Sequence, residues 1–401
     1  MPLPKLIIEV LLSLLDNLFY GLSYLVPKSP RIWIFGSMFG EKYADNSKYF
    51  YDYVRREHRE IRAVWLSRSP RTVAAIRERG GEAYRFYSPA GTWLAMRAAA
   101  GFISHSVIRD FRPFVLGRNT LLVNLWHGIP LKRIAKDDEV SDIRNQPTFR
   151  LAQAFSRLLC PSFRRDPDLT IACSDEDRRS FSSGFRVPAE TVVITGYPRN
   201  DAMSWTVGND LPPTARFIGI YMPTFRGQEG TACDFFEPFG FDAVAVNTCL
   251  EQLDAHLYLK LHHFNRPGDR IMAEIAAAPR ISFFPKDDIY EEMAQIDFLI
   301  TDYSSIYFDY LLTGRSLIFA PFDVDDFNRR TRTFYYDYDE VTPGPKARSW
   351  PEVCTCIREA IEQPDRYAAQ RRAVAERFHR FRDGESCRRV HAEVNRRLQR
   401  C

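Results

Sequence analysis

Several apolar runs of this chain end in side chains that can do chemistry. His127 closes the run TLLVNLWHG, and the glycine after it permits close approach of a ligand to the backbone. A neutral imidazole can take the proton of an attacking hydroxyl, which contributes roughly 10² to 10⁴ in rate. A lone histidine after a strand is more often structural. Beyond His127, however, Pro130 restricts the backbone of the following loop and Lys132 adds a positive charge to it. The pattern therefore favours His127 as a catalytic residue.

Four later runs end in groups that suit a phosphate. These groups are Thr224 with Arg226, His262 with His263, Lys286, and Ser304 with Ser305. The two serines also open a predicted helix, whose free N–H groups and positive dipole end can bind a phosphate oxygen without a metal ion. The alternative is that Ser304 is only a helix N-cap, but the basic groups on neighbouring strand ends favour phosphate binding. Five further histidines lack such contexts and are interpreted as structural: His58, His105, His256, His379 and His391.

The elements that must position these residues form two successive βα patterns. Six apolar runs between 31 and 196 alternate with helical spacers, and five more runs follow between 216 and 321. The spacers of the second pattern predict helices near 241–254, 289–295 and 306–312. A polar stretch with prolines at 209–214 separates the two patterns. Such alternation predicts an α/β protein with parallel, doubly wound sheets, in which ligands bind beyond the carboxyl ends of the strands. We therefore expect the GT-B architecture, two Rossmann-like domains facing a cleft, with His127 looking across it toward His262.

Composition excludes several classes of protein. At 401 residues and 45% hydrophobic, the chain is large enough for two domains, and its net charge of +4 argues against a nucleic-acid partner. The eight cysteines are scattered, and Cys354-Thr-Cys356 has no second pair at zinc-like spacing. We therefore expect reduced thiols and no metal site. Glu9 and Asp16 interrupt the N-terminal apolar run, so no cleavable signal peptide is evident and the body is expected to stay in the cytoplasm.

The first helix is predicted to be amphipathic. A helical arrangement of residues 3–25 places six polar or small residues on one narrow face: Lys5, Glu9, Ser13, Asp16, Tyr20 and Ser23. The broad opposite face centres on apolar residues: Ile7, Val10, Leu11, Leu14, Leu15, Leu18 and Leu22. This form is typical of a helix in a membrane interface, with Lys28 and Arg31 available to anionic head groups. The alternatives are docking on the protein's own core and spanning a bilayer, which two acids make costly.

The blocks together resemble a known family. WHGIPLK at 126–132 and TDYSSIYFDYLLTGRSLIFAPFD at 301–323 are similar to the signature of the CDP-glycerol glycerophosphotransferase family, membrane-associated enzymes that polymerise teichoic acids and related capsule polymers. Four further blocks also resemble family blocks, in the right order: YMPTFRG, KLHH, GYPRND and FGEKYADNSKY. The resemblance extends from Ile34 to Val390.

The resemblance implies a reaction and roles for residues. In that family a CDP-polyol is bound mainly by the C-terminal domain, and an acceptor hydroxyl attacks the β-phosphorus and releases CMP. The resemblance implies that His127 and His262 are the two essential histidines of the family. Because GT-B enzymes usually bind the acceptor in the N-terminal domain, we assign His127 as the general base, and we expect His262, in the donor domain, to steady the diphosphate and the departing CMP. The resemblance also implies substrate binding by residues in matched motifs: Arg226, Thr224, Ser304, Ser305, Asp302, Lys132, His263 and Asp323. His263 stands where the family often has proline. Two alternatives stay open, that Asp309 orients a neighbour and that Asp302 hydrogen-bonds the turn.

Four segments follow from these interpretations. We expect a membrane-associating helix at 1–28, an acceptor domain at 29–208, a CDP-donor domain at 209–363, and C-terminal helices packing back on the body at 364–401. The acceptor and donor assignments rest on the resemblance.

The expected function is transfer of glycerol phosphate, or a related polyol phosphate, from CDP-glycerol to a hydroxyl of a lipid-linked or polymeric acceptor. The resemblance implies teichoic-acid-like or capsule polymer synthesis at the cytoplasmic face of the membrane, by a peripheral enzyme without cofactor or metal. One alternative is a GT-B nucleotide-sugar glycosyltransferase of cell-surface polysaccharide synthesis, which would attack an anomeric carbon. Another is a non-catalytic membrane scaffold. The sequence leaves open the polyol, the acceptor, and whether one unit or many are added.

Overall fold

The computed structural model describes residues 11, 14–15, 17–105, 110–111, 117, 119–138, 166–204, 211, 215–224, 235–261, 267–323 and 333–399. Three predicted site residues lie outside these ranges: Arg226, His262 and His263. Internal contacts divide the chain into two compact units. Unit 1 comprises Met1–His127, Asp142–Ala202 and Phe381–Cys401, and unit 2 comprises Gly128–Ser141 and Met203–Arg380.

Unit 1 is built on a seven-stranded sheet whose pairs are all parallel, in the order β3-β2-β1-β4-β5-β6-β7. The strands are β1 (Ser29–Phe35), β2 (Arg62–Ser67), β3 (Ala83–Arg85), β4 (Ala98–Ile103), β5 (Leu121–Asn124), β6 (Leu169–Ala172) and β7 (Val192–Ile194). The helices between them are α1 (Asp45–Glu57), α2 (Pro70–Glu78), α3 (Pro89–Met96) and α4 (Asp175–Phe185). Every residue of β4, β5 and β6 is buried, as expected for a parallel sheet covered on both faces.

Unit 2 repeats the plan with five parallel strands in the order β10-β9-β8-β11-β12. They are β8 (Phe217–Met222), β9 (Ala255–Leu259), β10 (Ile281–Phe283), β11 (Phe298–Thr301) and β12 (Ser316–Phe319). Its helices are α5 (Ala243–Gln252), α6 (Asp269–Ala277), α7 (Ile306–Tyr310), α8 (Tyr338–Val341), α9 (Trp350–Glu362) and α10 (Ala368–Phe378). The order 3-2-1-4-5 places the first strand beside the fourth, as in Rossmann-like folds. The predicted pair of parallel, Rossmann-like α/β units is confirmed.

One predicted helix is wrong. The segment 289–295 forms only a single 3₁₀ turn, Met293–Gln295. The carboxylate of Asp288 accepts a hydrogen bond from the Tyr290 N–H (3.0 Å), and the Tyr290 hydroxyl donates to Asp309 (2.8 Å). The first bond is a local one from main chain to side chain, and the second ties the Tyr290 side chain to a distant segment.

The C-terminal helices pack on different units. In unit 2, the His379 ring just after α10 hydrogen-bonds the Phe308 carbonyl at 2.7 Å. In unit 1, the last helix, α11 (Ser386–Leu398), begins where the Asp201 carboxylate accepts from the N–H groups of Ser386 (2.9 Å) and Cys387 (2.7 Å). A carboxylate at a helix start satisfies free N–H groups and interacts favourably with the dipole.

The N-terminal segment turns its leucines outward. Residues 17–23 are helical, Ser23 is fully buried, and Phe19 and Tyr20 pack against the unit 1 core. The leucine side chains on the other face are exposed: Leu11 58%, Leu14 57%, Leu18 59% and Leu22 43%. Docking of this apolar face on the protein's own core is therefore not what the described residues show. Among the residues that the structure describes, no helix is long and apolar enough to cross a membrane.

Candidate active site

His127 lies on a sharp turn beyond the carboxyl end of β5. The Asn124 side chain accepts a hydrogen bond from the Trp126 N–H at 3.0 Å, which begins the turn. Trp126 then adopts a left-handed backbone with φ of 52°, and Gly128 follows with φ of 143°. A left-handed non-glycine residue costs about 1–3 kcal/mol and persists only where its surroundings enforce it. Here the surroundings are Phe181 and Phe185 of α4, whose rings meet the indole edge to face.

The protonation pattern of His127 follows from one hydrogen bond. Its Nδ1 lies 2.8 Å from the Ser104 carbonyl oxygen, which can only accept, so Nδ1 carries the proton. In the neutral ring, Nε2 then holds the lone pair. Burial, reinforced by the neighbouring His105, lowers the pKa of His127 to about 4. The ring is therefore neutral at pH 7 and can act as a base through Nε2.

The blocks GYPRND and FGEKYADNSKY, noted in the sequence only for their family resemblance, supply residues that hydrogen-bond the His127 turn. The Arg199 guanidinium donates to the His127 carbonyl (2.9 Å) and to Asp45 (2.8 Å). The Asn46 side-chain amide donates to the carbonyls of Leu125 (2.9 Å) and Trp126 (3.1 Å). Because Arg199 and Asp45 are nearly buried, their ion pair is shielded from water. These residues act on the backbone of the turn and leave the imidazole available.

The structure brings His105, interpreted from the sequence as structural, against the predicted catalytic histidine. Its ring lies parallel to that of His127, with centroids 4.1 Å apart and planes 8° apart. The sequence interpretation did not include this neighbour. A signal was available, because the run GFISHS places His105 just beyond the carboxyl end of β4, as TLLVNLWHG places His127 beyond β5. Adjacent parallel strands bring such residues together.

In unit 2, Asp302 joins two strand ends. Its Oδ1 accepts from the Thr224 N–H (2.8 Å), the Thr224 hydroxyl (2.6 Å) and the Tyr303 N–H (2.6 Å). Asp302 is buried and Thr224 is half-buried, just beyond the neighbouring strands β11 and β8. This geometry fits the alternative in which Asp302 organises the turn. Asp309, also buried, accepts from Tyr290, which fits its alternative of orienting a neighbour.

Ser304 and Ser305 lie half-exposed at the start of α7. Ser305 is the N-cap residue, but its side chain makes no capping hydrogen bond. For Ser305, a role as a simple helix cap is thus not supported by the geometry of its hydroxyl. The helix has only five residues, so its dipole contributes less than expected from the sequence, and the hydroxyl and N–H groups of the turn are the main candidates for a phosphate.

The remaining predicted residues flank these groups. Lys132 pairs with Phe334 in an antiparallel bridge, extended by hydrogen bonds from Arg133 N–H to the Thr333 carbonyl (2.8 Å) and from Tyr335 N–H to the Leu131 carbonyl (2.9 Å). The loop after His127 is in this way part of unit 2. Asp323 follows β12 and is half-exposed. Lys286 makes an ion pair with the buried Glu292.

The structure thus places Thr224, Asp302, Ser304, Ser305 and Asp323 at the carboxyl ends of neighbouring strands in unit 2, as predicted. His127 occupies the corresponding edge of unit 1. In the described ranges, no group of three or more His, Cys, Asp or Glu side chains could hold a metal ion.

Some known proteins are similar to this chain in sequence, and some solved structures are similar to it in fold. A teichoic acid glycerol-phosphate transferase of Staphylococcus aureus is 25% identical over 94% of this chain and 97% of its own length. A teichoic acid poly(glycerol phosphate) polymerase of Staphylococcus epidermidis is 26% identical over 79% of this chain, which spans only 44% of that relative. The structure of the wall teichoic acid polymerase TagF superposes with a TM-score of 0.75 at 22% identity, over 96% of this chain and 94% of that one.

The family match covers nearly the whole chain. The description CDP-Glycerol:Poly(glycerophosphate) glycerophosphotransferase applies to residues 18–396, which include both parallel sheets and the His127 turn. The predicted resemblance is confirmed, and the chain belongs to the CDP-glycerol:poly(glycerophosphate) glycerophosphotransferase family.

Proposed function

We propose that this protein transfers glycerol phosphate, or a related polyol phosphate, from a CDP-polyol to a hydroxyl of a lipid-linked or polymeric acceptor, in synthesis of a teichoic-acid-like or capsule polymer. The observation that carries the proposal is the neutral imidazole of His127, with its Nε2 lone pair set by the bond to the Ser104 carbonyl, in a chain of this family. The names of similar proteins include glycerol-phosphate and ribitol-phosphate enzymes, so both polyols are candidates.

His127 acts as the general base in the proposed reaction. Nε2 takes the proton of the acceptor hydroxyl while that oxygen forms a bond to the β-phosphorus of the donor. The bond from the β-phosphorus to the bridging oxygen breaks, and its electron pair leaves on CMP. The Arg199 and Asn46 hydrogen bonds hold the turn, so little reorganisation is needed when the hydroxyl arrives.

The strand ends of unit 2 bind the diphosphate in this proposal. The hydroxyls of Ser304 and Ser305 and the N–H groups of their turn serve as neutral donors. Asp302 fixes the Thr224 end of β8, from which the chain continues to Arg226. Arg226 supplies a charge-assisted contact, and His262, with His263 beside it, steadies the departing CMP, as the family motifs suggest. Lys132 and Asp323 complete the proposed set of substrate contacts.

The N-terminal segment is proposed to hold the protein on the cytoplasmic face of the membrane as a peripheral enzyme. Supporting this, Leu14, Leu18 and Leu22 are exposed on one face, whereas the face with Tyr20 and Ser23 is packed on the unit 1 core. Full burial of each such leucine side chain in an interface would contribute roughly 1.5–3 kcal/mol to the free energy of membrane binding. Lys28 and Arg31, next in sequence, are suited to anionic head groups.

A donor panel tests the proposed reaction. Purified full-length protein is supplied with CDP-glycerol, CDP-ribitol or a set of nucleotide sugars, together with a polyol-phosphate acceptor. Release of the nucleotide is followed, as CMP from a CDP-polyol and as the nucleoside diphosphate from a nucleotide sugar. We expect turnover with at least one CDP-polyol and none with the sugars. Turnover with a nucleotide sugar alone would replace the proposal by a glycosyltransferase, and turnover with no donor would favour a scaffold.

A further inference from the structure

Four aromatic and imidazole rings lie in a row at the carboxyl edge of the unit 1 sheet. In order they are Phe39, His105, His127 and Trp126, with centroid separations of 4.6, 4.1 and 4.1 Å. The two imidazoles in the middle are nearly parallel, at 8°. We call them the imidazole pair. Two rings at this separation repel each other if both are protonated, so the charge on one depends on the other.

A single residue, Ser104, hydrogen-bonds both members of the imidazole pair. The Ser104 carbonyl accepts from His127 Nδ1, while the Ser104 hydroxyl lies 2.8 Å from His105 Nδ1. The carboxylate of Asp110, which is fully buried, accepts from the N–H groups of Ser104 (2.8 Å), His105 (2.6 Å) and Phe39 (2.8 Å). The plane of the His105 ring is therefore set independently of any substrate, and His127 packs against that plane.

We propose that His105 is a positioning residue for the reaction, which fixes the ring plane of His127 and through it the direction of the Nε2 lone pair. The inference rests on the proposed function, because that assigns His127 as the base. It adds a residue that does not itself touch the reacting atoms.

The charged groups around His127 decide the direction of the effect. Apart from burial, His105 is the largest influence lowering the pKa of His127, and Arg199 lowers it further. Asp45 at the start of α1 and the hydrogen bond to the Ser104 carbonyl raise it. The buried Asp110 accepts from the main-chain N–H groups of Ser104 and His105 and also interacts electrostatically with His127. Removing the charge of His105 while keeping its bulk should therefore raise the pKa of His127.

Two substitutions separate charge from orientation in the full chain. In His105→Phe the ring stack persists but cannot be protonated, so turnover at pH 8 should stay within a few-fold of wild type, while the acidic limb of the kcat profile moves to higher pH. In His105→Ala the plane is lost, and kcat should fall by roughly 10-fold to 100-fold. Donor affinity should be unchanged in both variants, because neither removes a proposed phosphate contact.

The chain supplies a matched control. His391 stacks on His58 in the same unit, with centroids 3.5 Å apart and planes 13° apart. Burial, reinforced by His58, lowers the pKa of His391 to about 4 as well. His391→Phe should leave the pH profile of turnover unchanged. A shift of equal size in both phenylalanine variants would overturn the proposal, because it would reveal a general effect of losing one histidine.

A readout that does not depend on turnover distinguishes this inference from the proposed function. NMR titration of ring-labelled histidines follows His127 directly, with its signals assigned by their loss in His127→Ala. We expect the His127 signals to titrate at higher pH in His105→Phe and in a second neutral variant, His105→Gln. An unchanged titration in the folded variants overturns the inference. Full turnover by His127→Ala would instead remove the general-base role of His127 and leave the titration result standing, whereas failure of the donor panel would overturn the proposed function.

Discussion

The carboxyl edges of the two sheets hold their polar residues in different ways. In unit 1, the His127 turn is tied through its main chain by Asn46 and Arg199, and its imidazole is bound through Nδ1. In unit 2, the carboxylate of Asp302 gathers Thr224 and Tyr303, while Ser304 and Ser305 stay half-exposed. The first arrangement prepares one atom, Nε2, for a proton. The second prepares a set of donors that a multiply charged ligand can engage.

The difference indicates how the two edges divide the reaction. A single oriented base affects the chemical step, because it acts only as the hydroxyl attacks. The hydroxyl and N–H donors and the arginine proposed to bind the diphosphate would affect binding, because in that proposal they contact the phosphates before and during the reaction. Variants at the unit 1 edge should therefore change turnover, and variants at the unit 2 edge should change donor affinity.

The sharpest test of this division is His127→Ala. Turnover should fall by roughly 10² to 10⁴ because the base is removed, while the calorimetric dissociation constant for CDP-glycerol stays near the wild-type value. His262→Ala should weaken donor binding as well. Near wild-type turnover by His127→Ala at saturating substrates would remove the general-base role. Loss of donor binding alone would mean that the two histidines have exchanged roles.

The support of the His127 turn predicts a large effect on stability. Arg199→Met leaves Asp45 buried without its ion-pair partner, which should lower the free energy of unfolding by about 3–5 kcal/mol. Urea unfolding measures this. Arg270→Met is the control, because Arg270 makes ion pairs with Glu237 and Glu274 at a solvent-exposed position. Its loss should cost about 1 kcal/mol or less. Equal costs for the two variants would show that the buried pair does not stabilise the turn.

At the unit 2 edge, Arg226→Ala should affect binding. It removes a charge-assisted contact to the diphosphate, with a loss of about 1.5–3 kcal/mol in donor affinity. Arg216→Ala, just before β8, is the control and should bind normally, because it lies at the amino end of the same strand. An unchanged dissociation constant for CDP-glycerol with folded Arg226→Ala protein would contradict the phosphate assignment.

Ser305→Ala separates phosphate binding from helix capping. Because the Ser305 hydroxyl makes no capping bond, its loss should weaken donor binding by about 0.5–1.5 kcal/mol and leave the free energy of unfolding unchanged. Ser174 does cap α4 through the Asp177 N–H at 3.2 Å, so Ser174→Ala should lower stability by about 0.5–2 kcal/mol. Destabilisation by Ser305→Ala with normal donor binding would return that serine to a capping role.

The smallest effect on chemistry is expected at the exposed leucines of the N-terminal segment. Leu14→Glu combined with Leu18→Glu should abolish flotation with anionic liposomes, because both side chains are exposed on the apolar face, and should leave turnover on a soluble acceptor unchanged. Val244→Glu changes an even more exposed apolar residue, at 76%, on α5 of unit 2 and should float like the wild type. Undiminished flotation of the double variant would place the membrane contact elsewhere.

Much of the fold could be predicted from local sequence. Apolar runs such as RIWIFG and SLIFAP became buried parallel strands because their hydrophobicity and length suit a sheet covered on both faces. The rule that parallel strands present ligands at their carboxyl ends then located His127, Thr224, Ser304 and Ser305. The helix predicted at 289–295 forms only one 3₁₀ turn, in which Tyr290 is tied to the distant Asp309, a contact that the apolar spacing does not contain.

The sequence by itself determined which residues stand at strand ends, because periodicity and chain order are local properties. It also determined the family, through motifs whose order is visible without coordinates. Only the tertiary structure decided which of these residues meet. The stacking of His105 on His127, the capture of Thr224 by Asp302 and the outward turn of Leu14 and Leu18 each depend on strand order or on packing between distant segments. Such pairings carry no local signature, because a side chain's neighbours across a sheet are fixed by the whole fold.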